Sequence, residues 1–282
     1  MRKWHPNWKI HVLLRHYIIV CKDAIFLGSR LSCDEETMGC KGRHPDILRI
    51  NYKKEGDGFQ CGALVSDGYT YTFFFRNQPA PQSYLDQDLC LLHARVMALL
   101  DQVVSKNHTI GMDNLYISAN FFWFGWQHPD RFMFHGVAWE KGRGVPSCLF
   151  QKKETSKIAL VKIWWTLKAT TLKGDPSIPG IVELSLFDSK PFYFMSNACE
   201  VVKRNKMMHK VWSKEKNRMA KMPFSRYNMI HDYNIGMNTI DLADQIRNTY
   251  LWDLFMRKRK WWWSIMMWCL QMLPANPYIL AG

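Results

Sequence analysis

The chain is 282 residues long, 48% hydrophobic and 22% charged, which is enough apolar content for a real core in one domain with an insertion, or in two small domains. Thirty-eight Lys and Arg against 24 Asp and Glu leave a net charge of +14. That charge suits a polyanion, nucleic acid or an acidic membrane, because neutralised phosphates release counterions whatever the base sequence. The eight scattered cysteines (Cys21, Cys33, Cys40, Cys61, Cys90, Cys148, Cys199, Cys269) form no Cys-x-x-Cys pair and have no His pair nearby, so neither zinc nor a disulfide framework is indicated and reduced thiols in a cytosolic or nuclear protein are expected.

Met1 to Arg30 is basic and partly apolar, with no acid before Asp23. Arg15 and His16 interrupt the apolar run and no small-residue cleavage site follows, which argues against a secretory signal and leaves a mitochondrial presequence as the minor alternative. Ser32-Cys33-Asp34-Glu35-Glu36 and then Lys41-Gly42-Arg43-His44 read as a solvated acidic turn followed by a basic one. Phe59–Val65 and Tyr69–Arg76 are apolar, β-branched and aromatic, two strands joined by Ser66-Asp67-Gly68. Asp-Gly is itself a strong hairpin signal. Asn77–Leu89, with Pro79 and Pro81, reads as a loop, and Cys90–Val104 as a core-facing helix with His93 and Arg95 on its wetter side.

His108–Met112 is a short strand ending at Asp113. Alone that acid is an ordinary helix cap, yet an acid at the carboxyl end of a strand points into the crevice where open sheets bind ligands. Phe132–Ala138 is strand-like. Ser147–Cys199 holds the apolar runs Ile158–Trp165, Ile181–Phe187 and Pro191–Met195, a β-rich insertion. Lys203–Arg226 carries nine basic residues against one acid, Glu215; a solvated face, phosphate contact and nuclear import all fit it.

Tyr233–Tyr250 predicts a helix with Asp241, Asp244, Gln245 and Asn248 on one face and Ile240, Ala243, Ile246, Leu251 and Leu254 as its apolar seam. Asn238 and Thr239 read as its capping start. On this segment alone, Asp241 and Asp244 only complement the positive end of a helix. Arg257-Lys258-Arg259-Lys260 then leads into Trp261–Leu273, an apolar run of roughly 13 residues where about 20 are needed to span a bilayer. A core helix is the expectation, ended by Pro274 and Pro277; an interfacial helix is the alternative.

Tyr233-Asn234, Met237, Ile240-Asp241 and Asp244-Gln245, continuing through Arg247, Tyr250, Lys260-Trp261-Trp262 and Asn276-Pro277-Tyr278-Ile279-Leu280, resemble the signature of the piggyBac family of DNA transposases. Asp113-Asn114-Leu115-Tyr116-Ile117-Ser118 resembles the family's Asp-Asn-x-Phe-Thr-Ser block, and Asp67 before Gly68-Tyr69 resembles its first acid. Asp34-Glu35-Glu36 resembles an Asp-Glu stretch of the family, and no catalytic role is carried over to it. The sequence departs from the pattern where the family's Gly-Gly is Asn238-Thr239, where Trp139 replaces an arginine, and in lacking the upstream helices and Cys-rich tail found in much of the family.

The resemblance implies an α/β fold, a ribonuclease-H-like mixed sheet flanked by helices with a β-rich insertion between the second and third catalytic acids. The expected division is a lead-in over 1–45, the first part of the catalytic core over 46–146, the insertion over 147–200, a basic connector over 201–232 and the last part of the core over 233–282. It implies Asp67, Asp113 and Asp241 as catalytic metal ligands, Asp244 as an auxiliary acid, and two ions. Acid-only ligands point to Mg²⁺ or Mn²⁺ and not to zinc. The expected function is cut-and-paste transposition at TTAA targets by a truncated or domesticated copy. Double-stranded DNA would be held by Lys203, Arg204, Lys206, Lys210, Arg257, Lys258, Arg259 and Lys260, in the nucleus, with a homodimer left open and no membrane partner. The rival expectation is a non-catalytic, transposase-derived DNA-binding protein.

Overall fold

The structure is a computed structural model and describes residues 9–49, 56–103, 107–139, 166–170, 181–187, 191–198, 203–213, 217–250 and 260–281. The aromatic and β-branched segments form β2 (Gly58–Ser66) and β3 (Tyr69–Phe75). Asp67 and Gly68 turn one into the other, both at positive φ (48° and 88°), the geometry that two-residue hairpins favour. β2 also pairs antiparallel with β1 (Arg30–Gly39), so the three strands make a meander. β4 (Thr109–Met112) and β5 (Met133–Ala138) follow on the other side of β1, each parallel to its neighbour. They are reached through α2 (Gln82–Leu85) with α3 (Leu91–Leu100), and through α4 (Ala119–Gln127). Three antiparallel strands followed by two parallel to the first is the ribonuclease-H-like order.

Beyond β5 the sheet continues antiparallel through β8 (Pro191–Ser196), β7 (Ile181–Phe187) and β6 (Thr166–Thr170), giving eight strands in the order β3-β2-β1-β4-β5-β8-β7-β6. The described strands of the insertion therefore extend the central sheet. Asn197, just after β8, ties this extension down: its Oδ1 accepts from Phe134 N–H at 2.5 Å and its Nδ2 donates to the Phe122 carbonyl at 2.8 Å. The basic connector forms a separate two-stranded ribbon, β9 (Lys203–Ser213) paired with β10 (Arg218–Tyr227). Segment 140–165, including Ile158–Trp165 and Lys141–Pro146, lies outside the described residues, as do Leu251, Leu254 and Arg257–Arg259.

Two apolar cores sandwich the sheet. Leu31, Cys33, Ile110 and Met112 enter one with Val96, Leu99 and Phe121. Met38, Cys61, Ala63 and Phe73 enter the other with Tyr17 of α1 (His11–Asp23), Ile240 and Ala243 of α5 (Asn228–Thr249), and Trp268 and Met272 of α6 (Trp261–Ala281). Alternation along the strands thus assigns Ser32, Asp34 and Glu36 of β1, and Gly111 and then Asp113 of β4, to the α5 face.

Three expectations are corrected. The acidic stretch Asp34–Glu36 is no turn but lies within β1, the strand between β2 and β4. Helix α5 begins at Asn228, not at Asn238-Thr239; Thr239 is mid-helix and donates its hydroxyl to the Gly236 carbonyl at 2.6 Å. Helix α6 runs on through Pro274 and Pro277 to Ala281. The penalty of about 3 kcal/mol for an interior proline is met by tertiary anchoring, since Asn276 is buried and spans to β3 and α1. Its Nδ2 donates to the Thr70 carbonyl (3.1 Å) and Cys21 Sγ (3.5 Å), and its Oδ1 accepts from Thr70 N–H (3.2 Å).

These bonds satisfy the open side of an edge strand. Replacing Asn276 with Ala leaves both Thr70 backbone groups unpaired, which should lower stability by about 2–4 kcal/mol. The check is a lower urea midpoint at unchanged slope.

Candidate active site

Parallel strands β1 and β4 pair with Cys33 opposite Met112, so the next residues, Asp34 and Asp113, are neighbours across a strand spacing of about 4.8 Å. Both are half-buried and both occupy the α5 face. Their common neighbour is Tyr233 of α5: burial first, then the charges of Asp113 and Asp34, push its phenol well above the ordinary range. The Tyr233 ring packs edge-on against Phe194 and His135, which gives the acid pair an aromatic floor.

Helix α5 crosses this face on close contacts. A Cβ on Gly236 would lie 2.7 Å from Ser32 Oγ, so a larger residue there would force the Ser32 hydroxyl to turn away. Arg30 reaches Asp232 at 3.5 Å. Further along, buried Arg247 donates from Nη1 to Glu36 and from Nη2 to Asp244 Oδ1 at 2.7 Å. Burial works against its charge, but Glu36 and then Asp244 outweigh that and hold the guanidinium above its usual value. The two contacts, Gly236 on Ser32 and Arg247 on Glu36, show that α5 and β1 run in the same general direction. From 236 to 247 a helix rises about 16 Å and from 32 to 36 a strand rises about 13 Å. Asp34, midway between its two contacts, is therefore level with the part of α5 near Asp241.

The flanks of α5 agree. Tyr233, Gly236, Ile240, Ala243 and Arg247 are buried. Thr239 and Leu242 border the Asp67–Gly68 turn, at the amino end of β1. Asp241 and Asp244 are on the opposite flank at 100° per residue, the flank toward the carboxyl half of β1 and Asp113. Asp244 is half-buried and Asp241 exposed. Among the described residues no three His, Cys, Asp or Glu side chains are gathered closely enough to hold a metal ion.

Asp67 does not join this group. It is exposed in the hairpin turn, and its carboxylate lies beside Gly28, to which an added Cβ would come within 3.4 Å. With Ser32 opposite Val65, the turn is level with Arg30. Asp113 is four residues along and two strands across, on the order of 16 Å away. The structure brings together Asp34 and Asp113 with the Asp241 flank of α5, and leaves Asp67 out. Sequence reasoning gives no site role to Asp34, Tyr233, His135 or Arg247; Asp34 stands in an Asp-Glu stretch that reads locally as a turn. Asp113 caps no helix, since Ser118 Oγ accepts from Phe121 N–H at the start of α4. Lys203, Arg204, Lys206 and Lys210 lie on β9 and exposed Lys260 at the start of α6. Trp139 follows β5 and is 62% exposed.

His135 is buried under α5, its Nδ1 without a hydrogen-bond partner and its Nε2 3.2 Å from where a Cβ on Gly111 would be. Burial, and then the charge of Arg30, push its imidazole down to about 4. The unfolded chain takes up that proton first, so the stability tied to neutral His135 is present above about pH 6.5 and is lost as pH falls toward 4, by up to about 3 kcal/mol. In His135→Gln the fall in thermal midpoint between pH 7 and pH 4 should be correspondingly shallower.

The family described as Transposase IS4 matches residues 5–278. No curated protein matches the sequence. Among solved structures, a piggyBac transposase synaptic complex with hairpin DNA matches with a TM-score of 0.70 at 16% sequence identity, covering 96% of this chain and 50% of that one. The likeness is one of fold, and the chain spans half the length of the protein it matches.

Proposed function

We propose, from the premise that the chain belongs to the transposase IS4 family, that it cleaves and joins DNA strands as the catalytic domain of a piggyBac-like transposase, with Asp34, Asp113 and Asp241 as its metal-binding acids. The observation that carries this reading is the register of β1 on β4, which makes neighbours of two acids seventy-nine positions apart in the sequence. Transposases of this kind work with divalent metal ions. The donors on the α5 face fit Mg²⁺ or Mn²⁺, because they are carboxylates, hard oxygen ligands, and the nearby His135 is buried against Tyr233 and Phe194. Bound there, two such ions would activate an attacking oxygen and stabilise the leaving oxygen of a phosphodiester.

The chain's own residues prepare that site. Asp34 and Asp113 supply fixed carboxylates on paired strands, and Tyr233 walls them on the side of the core. Asp241, on a helix flank and exposed, completes the set when a cation offsets the repulsion among the three acids. Asp244 is committed to Arg247 and serves as an auxiliary charge. The ribbon of β9 and β10, with Lys203, Arg204, Lys206 and Lys210, is a cationic element suited to backbone phosphates.

The second reading, a DNA-binding protein without catalysis, draws on that ribbon and on the absence of three gathered ligands among the described residues. Nicking of supercoiled plasmid with Mn²⁺ separates the two. The wild-type chain should nick; Asp34→Asn and Asp113→Asn should each lose roughly a hundredfold or more in rate, and Asp67→Asn should stay within about threefold of wild type. An inactive Asp67→Asn beside an active Asp34→Asn would reverse the assignment of the first acid. Equal cleavage by every form would leave only binding that is sensitive to salt and indifferent to metal.

A further inference from the structure

We propose that Arg247 is a positioning residue of the acid site: its buried guanidinium locks α5 onto β1 and so sets where Asp241 stands relative to Asp34. The inference rests on the function proposed above and adds to it a residue that touches neither substrate nor metal. Arg247 is 7% exposed. One arm of its fork engages Glu36, two residues after Asp34 on the same face of β1, and the other engages Asp244, three residues after Asp241 on α5. A third contact comes from α6, where the Trp268 ring centroid lies 5.3 Å from the guanidinium carbon. One side chain therefore joins the strand bearing the first acid, the helix bearing the third and the helix packed behind both.

The chemistry of the fork matters. A guanidinium offers two parallel N–H directions and can hold two carboxylates in fixed relative positions, whereas an ammonium is a point charge that can satisfy either without fixing both. Arg247 also occupies Glu36 and Asp244, two carboxylates that would otherwise add their charge to the acid pair. Buried ion pairs often contribute little net stability compared with apolar packing, so a cluster of this kind is better explained by the geometry it imposes.

The test uses Mn²⁺ alone as probe, with free ion read from its electron paramagnetic resonance signal, on the full chain. Wild type should bind Mn²⁺ more tightly than the Asp34→Asn/Asp113→Asn double variant. If it does not, the function proposed above fails and this inference falls with it. Given wild-type binding, Arg247→Lys should keep the thermal midpoint within a few degrees and weaken Mn²⁺ binding by about tenfold. Glu36→Gln/Arg247→Met removes both buried charges together; it should fold, and should also bind Mn²⁺ about tenfold more weakly. Wild-type affinity in either variant overturns the proposal. So does a double variant that cannot fold, since the cluster would then be structural.

Discussion

Because β1 and β4 are hydrogen-bonded in parallel with Cys33 opposite Met112, the two half-buried acids that follow are neighbours, and every other feature of the site is referred to that pairing. The register is not held by the acids themselves, which repel. It is held by the residues that alternate with them: Leu31, Cys33, Ile110 and Met112 all point into the core under α3 and α4. A slip of one residue in β1 would turn Asp34 into that apolar core and bring Leu31 and Cys33 out under α5. Burying a carboxylate without a partner costs several kcal/mol, so apolar packing on one face of the sheet fixes the chemistry on the other.

Helix α5 closes the acid face by a different means. Its inward side is made of Ile230, Tyr233, Gly236, Ile240, Ala243 and Arg247, an apolar stripe at three- and four-residue spacing that ends on one buried cation. Small residues let it approach: a Cβ at Gly236 would be 2.7 Å from Ser32 Oγ. Polar contacts then fix its position, with Asp232 on Arg30 near its start and Arg247 on Glu36 near its end. A helix docked by a narrow apolar stripe and one buried ion pair leaves its flank available to present acids.

Legibility in the sequence followed the physics of each segment. β2, β3, α3, β4 and β5 were read from local patterns because each carries a period or a turn signal of its own, Asp67-Gly68 above all. That same turn also carries the resemblance to a first acid, while its positive φ values mark it as a hairpin. β1 was hidden because it is covered on both faces and flanked by strands on both edges, so its acids interrupt any strand-like alternation. The partner of Glu36 is Arg247 of α5, some two hundred positions away, and only the folded chain shows it. The start of α5 and the continuation of α6 through two prolines were also hidden, since both depend on contacts remote in sequence, Asn276 with Thr70 being the plainest.

The distribution of charge separates two tasks within one chain. The whole carries +14, and such an excess attracts a polyanion from a distance set by the ionic strength, roughly 8–10 Å at physiological salt. The α5 face reverses that sign locally: Asp34, Glu36, Asp113, Asp241 and Asp244 share it, and the buried cation there is Arg247, already engaged by two of them. An acid cluster in a basic protein would repel a phosphate backbone unless small cations came between them. A polyanion drawn to the basic surface would meet a local barrier at the acid face, which a bridging small cation would lower.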